Sequence, residues 1–365
     1  MARPIADPLN PGPVPIPSPI PGRGVTANPA GRFERLEIEP DPELLDDPSR
    51  PATIYLRDAS RRATSTNQSP DVPFSVSVNP YRGCEHGCAY CYARPTHEYL
   101  GLSAGLDFET RILVKTEVPE LLRRELMRPG WEPQAVAFSG VTDPYQPVER
   151  RLELTRRCLQ VLAEFRNPVG LITKSRLVVR DTDVLAELAQ YDAVSVTLSV
   201  TTLDSDLARR LEPRAAQPRA RLAAIEALAR AGVPVGVNAA PVIPGLTDHE
   251  LPAILQAAAD HGAMWAGYVM LRLPHGVREL FEGWLDTHRP DRKKRVLNRV
   301  RDVRGGRLND PRFGSRMRGR GLYAEQIDQL FRMARSRAGL DRERRPLSTA
   351  HFRRPGGGQL ELFAR

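Results

Sequence analysis

Tyr81-Arg82-Gly83-Cys84-Glu85-His86-Gly87-Cys88-Ala89-Tyr90-Cys91-Tyr92 places three of the chain's four cysteines within eight residues. The spacing is C-x3-C-x2-C. Three thiolates this close can hold three corners of a cubane iron–sulfur cluster, whose complete cage takes four ligands. The fourth iron is then open and can bind a substrate. A disulfide framework does not suit a 365-residue chain with four cysteines and no recognisable secretory signal, which points to a reducing setting. A structural zinc site is the alternative, with His86 or His97 completing a Cys3His tetrahedron, although no second knuckle follows.

Outward from this loop, strand-like and helix-like segments alternate. Phe74–Val78 alternates apolar and polar residues and leads directly into the cysteines. Further strands are predicted at Ala135–Ser139, Val169–Thr173, Ala193–Ser199, Val233–Val237 and Gly267–Leu271. Helices are predicted at Glu120–Met127, Leu154–Phe165, Asp181–Leu188, Arg219–Ala231 and Asp248–His261, with Asp181 and Thr247 or Asp248 as N-caps. Six strands separated by helices imply a parallel sheet with helices on its outer face. The fourth cysteine, Cys158, falls within an amphipathic helix and reads as core.

The cysteine spacing, with Tyr90 just before the last cysteine, resembles the cluster motif of the radical SAM superfamily. The resemblance covers residues 72 to 275, and is nearest to a bacterial branch related to spore photoproduct lyase. It implies an α/β fold, a partial (β/α)6 barrel with the site at the carboxyl ends of the strands. It implies a [4Fe–4S] cluster on Cys84, Cys88 and Cys91. The open iron would chelate S-adenosylmethionine, and an electron from the cluster would release a 5′-deoxyadenosyl radical. A reductant such as flavodoxin or ferredoxin is implied as a partner.

The strand ends carry the residues that would receive S-adenosylmethionine. Ser139, Gly140, Thr142 and Asp143 follow the second strand, where the family places acceptors for the methionine ammonium. The family's common Gly-Gly-Glu is absent here. Lys174, in a Thr-Lys-Ser that resembles the lyase branch, suits the methionine carboxylate. Ser199 suits the ribose, and Ile243, within Val242-Ile243-Pro244, suits the adenine. Glu212 is expected to orient Arg214 or another cation. The spore lyases use a further cysteine as hydrogen donor; no motif carries that role onto Cys158, which puts dimer-splitting chemistry in doubt.

Charge is uneven. Between His288 and Arg354 lie 21 of the 53 Lys and Arg but 7 of the 44 Asp and Glu, so this segment alone carries more than the formal +9 of the whole chain. Such a concentration attracts polyanions, nucleic acid above all. At the other end, residues 1–50 hold 12 of the 34 prolines and read as an extended, disordered tail. Near the C-terminus, Gln359, Leu360, Leu362 and Phe363 match the four defining positions of the bacterial sliding-clamp-binding pentapeptide, after the flexible Pro355-Gly356-Gly357-Gly358.

The expected organisation is a Pro-rich tail (1–50), a radical SAM partial barrel (51–275), a basic helical extension (276–354) and a tail with the clamp peptide (355–365). No apolar run reaches the roughly 20 residues that span a bilayer. The reading is a cytoplasmic radical SAM enzyme acting on or near DNA in a repair-like reaction. Radical modification of RNA or a protein is the alternative within the enzyme class. A zinc- or cluster-stabilised nucleic-acid-binding module is the alternative outside it.

Overall fold

The computed structural model describes residues 19–33, 51–341 and 346–356. Its main sheet has seven strands, six of them parallel and in chain order: Val76–Val78, Val136–Phe138, Val169–Thr173, Val194–Ser199, Val235–Val242 and Ala266–Met270. Thr64–Thr66 pairs antiparallel with the first of these and forms the far edge. In-register valines run across the middle of the sheet, Val76 beside Val136, Val136 beside Val169, and Val169 beside Val194. Valine suits these positions because its branched side chain is stiff and packs well on a pleated surface. Each fully buried Val or Leu contributes about 1.5–3 kcal/mol.

Every helix predicted between the second and sixth barrel strands forms. Leu154–Phe165 turns Leu154, Cys158, Leu159, Leu162 and Phe165 onto the sheet, and Cys158 is fully buried there. Two expected caps do not form. Asp181 precedes Thr182–Ala189 without capping it, because Arg156, Arg180 and Tyr145 engage its carboxylate. Asp248 accepts from the Gly245 amide and the Tyr323 hydroxyl, and Thr247 accepts from the Ile243 amide.

Three further features go beyond the sequence reading. The stretch before Phe74–Val78 contains the strand Ile54–Arg57. That strand joins Arg111–Val114 and Tyr81–Arg82 in a separate three-stranded sheet. Its residues are exposed, so no alternation of burial marks it. Residues 19–33 do not belong to a disordered tail: Ile20 and Val25 are buried in the same apolar cluster as Cys88, Ala89 and Tyr90. Gly24 makes this possible. A Cβ there would meet the Gly87 carbonyl oxygen at 1.5 Å, so only glycine permits the approach. Finally, the basic segment is helical, at Val277–His288, Pro290–Val303 and Leu322–Arg337, and it packs on the barrel. Val303, Ile327 and Phe331 belong to the core of the barrel itself. No helix among the described residues is long and apolar enough to cross a membrane.

Candidate cluster and cofactor site

The cysteine loop leaves the first barrel strand at the carboxyl end of the sheet. It is tied off at its base by Tyr81–Arg82, which pairs antiparallel with Leu113 and Val114. Within it, backbone groups are satisfied by neighbours. The Cys84 amide donates to the Phe108 carbonyl at 2.9 Å, and the Ala89 amide to the Leu211 carbonyl at 3.0 Å. Arg94, fully buried, donates to the Cys88 carbonyl at 2.9 and 3.1 Å, to those of Ala104 and Gly105, and to the carboxylate of Glu109. A buried guanidinium is stable only when paired and hydrogen-bonded in this way.

The three thiols are free, two buried and Cys91 partly so. Burial pushes the Cys91 thiol up to about 11, helped by Cys84 beside it, and raises Cys88 with the help of Glu212. Ligation must therefore displace protons, which metal binding to thiols does. Among the described residues, no three His, Cys, Asp or Glu side chains are placed to hold one metal ion. A cubane takes its thiolates one per corner, so a loop presenting three separate thiols fits it. The histidines proposed for zinc have other partners as well. His97 is buried, its Nε2 2.9 Å from the Arg111 carbonyl and its ring edge-on to Phe108. His86 lies with Nδ1 3.4 Å from Asp143. Burial opposes its charge, but Asp143 and Cys84 push it up to about 10.

The residues after the second strand divide. Thr142 and Asp143, expected to receive an ammonium, are occupied within the protein. Thr142 donates to the Gly83 carbonyl at 2.6 Å, joined there by Gln146 at 3.3 Å, and so fastens the loop to the barrel. Asp143 accepts from Thr173 Oγ1 at 2.7 Å, the Lys174 amide at 2.8 Å and the Tyr145 amide at 2.9 Å. Against its burial, His86 and these donors hold it down to about 2. Ser139 has no hydrogen-bond partner for its hydroxyl among the described residues and is half-buried. The Gly140 carbonyl accepts from the Tyr92 hydroxyl at 2.8 Å.

The other strand ends converge behind Tyr90. Its hydroxyl donates to Glu212 and lies 3.1 Å from Thr201 Oγ1. Glu212 pairs with Arg221, both closed to solvent, so the cation it orients is Arg221 and not Arg214. Arg214 instead meets Glu85 at 3.1 Å. Although burial works the other way, Arg221 and Lys174 hold Glu212 down to about 2. Lys174 Nζ donates to the Ala240 carbonyl at 2.9 Å, lies 3.9 Å from Glu212 and faces the Tyr90 ring at 6.0 Å. Ser199 is buried with its carbonyl on Arg221, and Ile243 packs in the apolar cluster with Cys88 and Tyr90. Arg94 and Arg221 escaped the sequence reading. Arg221 occupies a buried helical position where nothing local distinguishes it from a solvated arginine. The Gln359 to Phe363 peptide lies outside the described residues.

The sequence model of the radical SAM superfamily matches residues 78–258. An uncharacterized protein of Mycobacterium tuberculosis is 40% identical over 252 residues, 68% of this chain and 73% of the relative. The radical SAM Nalpha-GlyT isomerase of Pseudomonas phage M6 is 25% identical over 204 residues, 55% of this chain and 40% of the phage protein. Among solved structures, spore photoproduct lyase complexed with dinucleoside spore photoproduct superposes with a TM-score of 0.56 at 15% identity. That match covers 78% of this chain and 79% of the lyase chain. At this identity the likeness is one of fold.

Proposed function

The chain belongs to the radical SAM superfamily, and on that premise we propose that it cleaves S-adenosylmethionine reductively and directs the resulting radical at nucleic acid, with DNA the favoured target. Its cofactors are those of the superfamily, a [4Fe–4S] cluster and S-adenosylmethionine. They displace the reading of a zinc-stabilised binding module. The observation that carries the proposal is three free thiols on one tied loop at the carboxyl end of six parallel strands.

Cys84, Cys88 and Cys91 would hold the cluster, which when bound supplies an open iron for the amino and carboxylate groups of S-adenosylmethionine and the electron that cleaves it. The chain's own residues bind and orient. Ser139 offers its hydroxyl as the acceptor for the ammonium, beside Gly140. Thr142 and Asp143 act one step back, holding the loop and the start of the Lys174 turn. Lys174 supplies positive charge for the carboxylate. Ser199 and Ile243 are assigned to the ribose and the adenine, and Tyr90 clamps the loop against Glu212. A flavodoxin- or ferredoxin-class reductant would supply the electron, and a reducing cytoplasm suits free thiols.

The basic segment supports nucleic acid as the target, as does a neighbour of the same fold solved with a dinucleoside. The Gln359 to Phe363 peptide, on its sequence alone, supports a sliding clamp as partner. Anaerobically reconstituted protein, dithionite and S-adenosylmethionine should yield 5′-deoxyadenosine. Adding irradiated DNA should give altered nucleosides on digestion. Product from RNA or protein but not from DNA would overturn the choice of target, and absence of 5′-deoxyadenosine would overturn the enzyme reading.

A further inference from the structure

A cleft of about 700 Å3 is lined by residues of the 19–33 segment, Glu98, the chain after the sixth barrel strand and the turn at Arg307. Leu273 and Leu308 line it and belong to the same apolar cluster as Cys88 and Tyr90. One packed cluster therefore joins the cleft to the cysteine loop. Its charge is positive on balance. Glu98 pairs with Arg32, and Glu279 with Arg278 at 3.2 Å. Arg301 and Arg307 also line the cleft, and neither has a carboxylate partner among the described residues.

Next in the chain to the lining residues Arg32 and Glu98, Phe33 and Tyr99 stack with ring centroids 4.9 Å apart, yet they are 56% and 71% exposed. The Arg32 guanidinium lies over both rings, at 4.8 and 5.9 Å. Rings left in water add little to folding, and two together form an apolar patch with a flat face. Aromatic faces beside unpaired cations are what an unpaired nucleotide needs: any base can stack, and the phosphates meet the cations. In a duplex the base faces are already stacked on each other and are not offered.

We propose that this cleft binds a single-stranded segment of nucleic acid, with a base on the Phe33–Tyr99 stack and adjoining phosphates on Arg301 and Arg307. The proposal rests on the nucleic-acid reading above and narrows it to unpaired or locally opened strands.

The test uses the full-length protein and fluorescence anisotropy with labelled twelve-nucleotide single-stranded DNA, single-stranded RNA of the same sequence, and the DNA duplex. Both single strands, or one of them, should bind more tightly than the duplex; which one identifies the source. Tyr99→Ala and Phe33→Ala should each weaken single-strand binding about tenfold, the loss of one stacked base. Tyr99→Phe, which keeps the face, should restore it. Arg301→Glu with Arg307→Glu should flatten the dependence of log affinity on log salt by about 0.7 per lost phosphate contact. Melting curves of each variant separate misfolding from lost binding, and the surface arginine pair remains informative if an aromatic variant unfolds. Unchanged single-strand affinity in folded Tyr99→Ala and in the arginine pair would overturn the site, as would tighter binding of the duplex. Formation of 5′-deoxyadenosine by the unaltered protein is scored separately, so the enzyme reading can fail while this site stands.

Discussion

Arg94 and Glu109 form an ion pair in which neither side chain has any solvent exposure, and the same guanidinium holds the carbonyl of Cys88. The pair therefore sets the shape of the segment between the second and third cysteines. Arg94→Met would leave the Glu109 carboxylate buried without its cation, a change that costs about 3–5 kcal/mol in such settings. The expected result is a lower melting temperature together with reduced iron and sulfide content after reconstitution. Normal iron content in a folded variant would show that the loop keeps its shape without Arg94.

Alanine at Cys84, Cys88 or Cys91 should each abolish the visible absorbance of the cluster and the formation of 5′-deoxyadenosine. Cys158 lies in the barrel core, and Cys158→Ala should lose some stability through a small cavity while retaining both signals. Spectra and product assays on the four variants, purified without air, decide this.

Gly24→Val places a branched side chain where the Gly87 carbonyl already sits at 1.5 Å from a built Cβ. Residues 19–33 should detach from the cysteine loop. The expected signs are new protease cleavage in that segment and faster bleaching of the cluster in air. An unchanged digestion pattern would refute the fastening role.

Charge reversal at Arg292, Lys293, Lys294 and Arg295 should weaken nucleic-acid binding for all sequences alike and lower its salt dependence. Lys293 is paired with Asp286 at 2.6 Å and Arg292 lies 3.6 Å from Asp291, so Lys294 and Arg295 should account for most of the loss. Anisotropy titrations over a range of salt measure it. Full affinity in the fourfold variant would remove this face from the nucleic-acid path.

Deleting Gln359 to Arg365 should remove binding to the sliding clamp, expected on the order of micromolar for a short peptide ordered on binding. Calorimetry with intact and shortened protein compares the two. Equal affinity, or none in either, counts against the clamp as a partner.

What could be read in advance followed from local pattern. Buried parallel strands are short apolar runs between turn residues, so Val169–Thr173 is found to the residue, and the thiol spacing needs no fold to be noticed. What could not be read depends on which distant groups meet. The exposed Ile54–Arg57 becomes a strand only because Arg111–Val114 lies beside it. Asp143 looked like a free acceptor because nothing near it in sequence shows that the parallel pairing of the second and third strands brings Thr173 and the Lys174 amide onto its carboxylate. Proline content reads as mobility, whereas within residues 19–33 Ile20, Gly24 and Val25 supply the contacts that hold the segment on the cysteine loop.

The small sheet of Ile54–Arg57, Tyr81–Arg82 and Arg111–Val114 has a mechanical consequence. Both ends of the thiol-bearing excursion are knotted to each other, outside the barrel, by pairing of Tyr81 with Val114 and Arg82 with Leu113. The thiol-bearing loop thus carries its own closure at its base, in addition to the bonds that fasten it to the barrel. A chain that enters and leaves the loop through one paired turn can present three thiols on a short span, with Thr142 and Tyr90 setting its place at the strand ends.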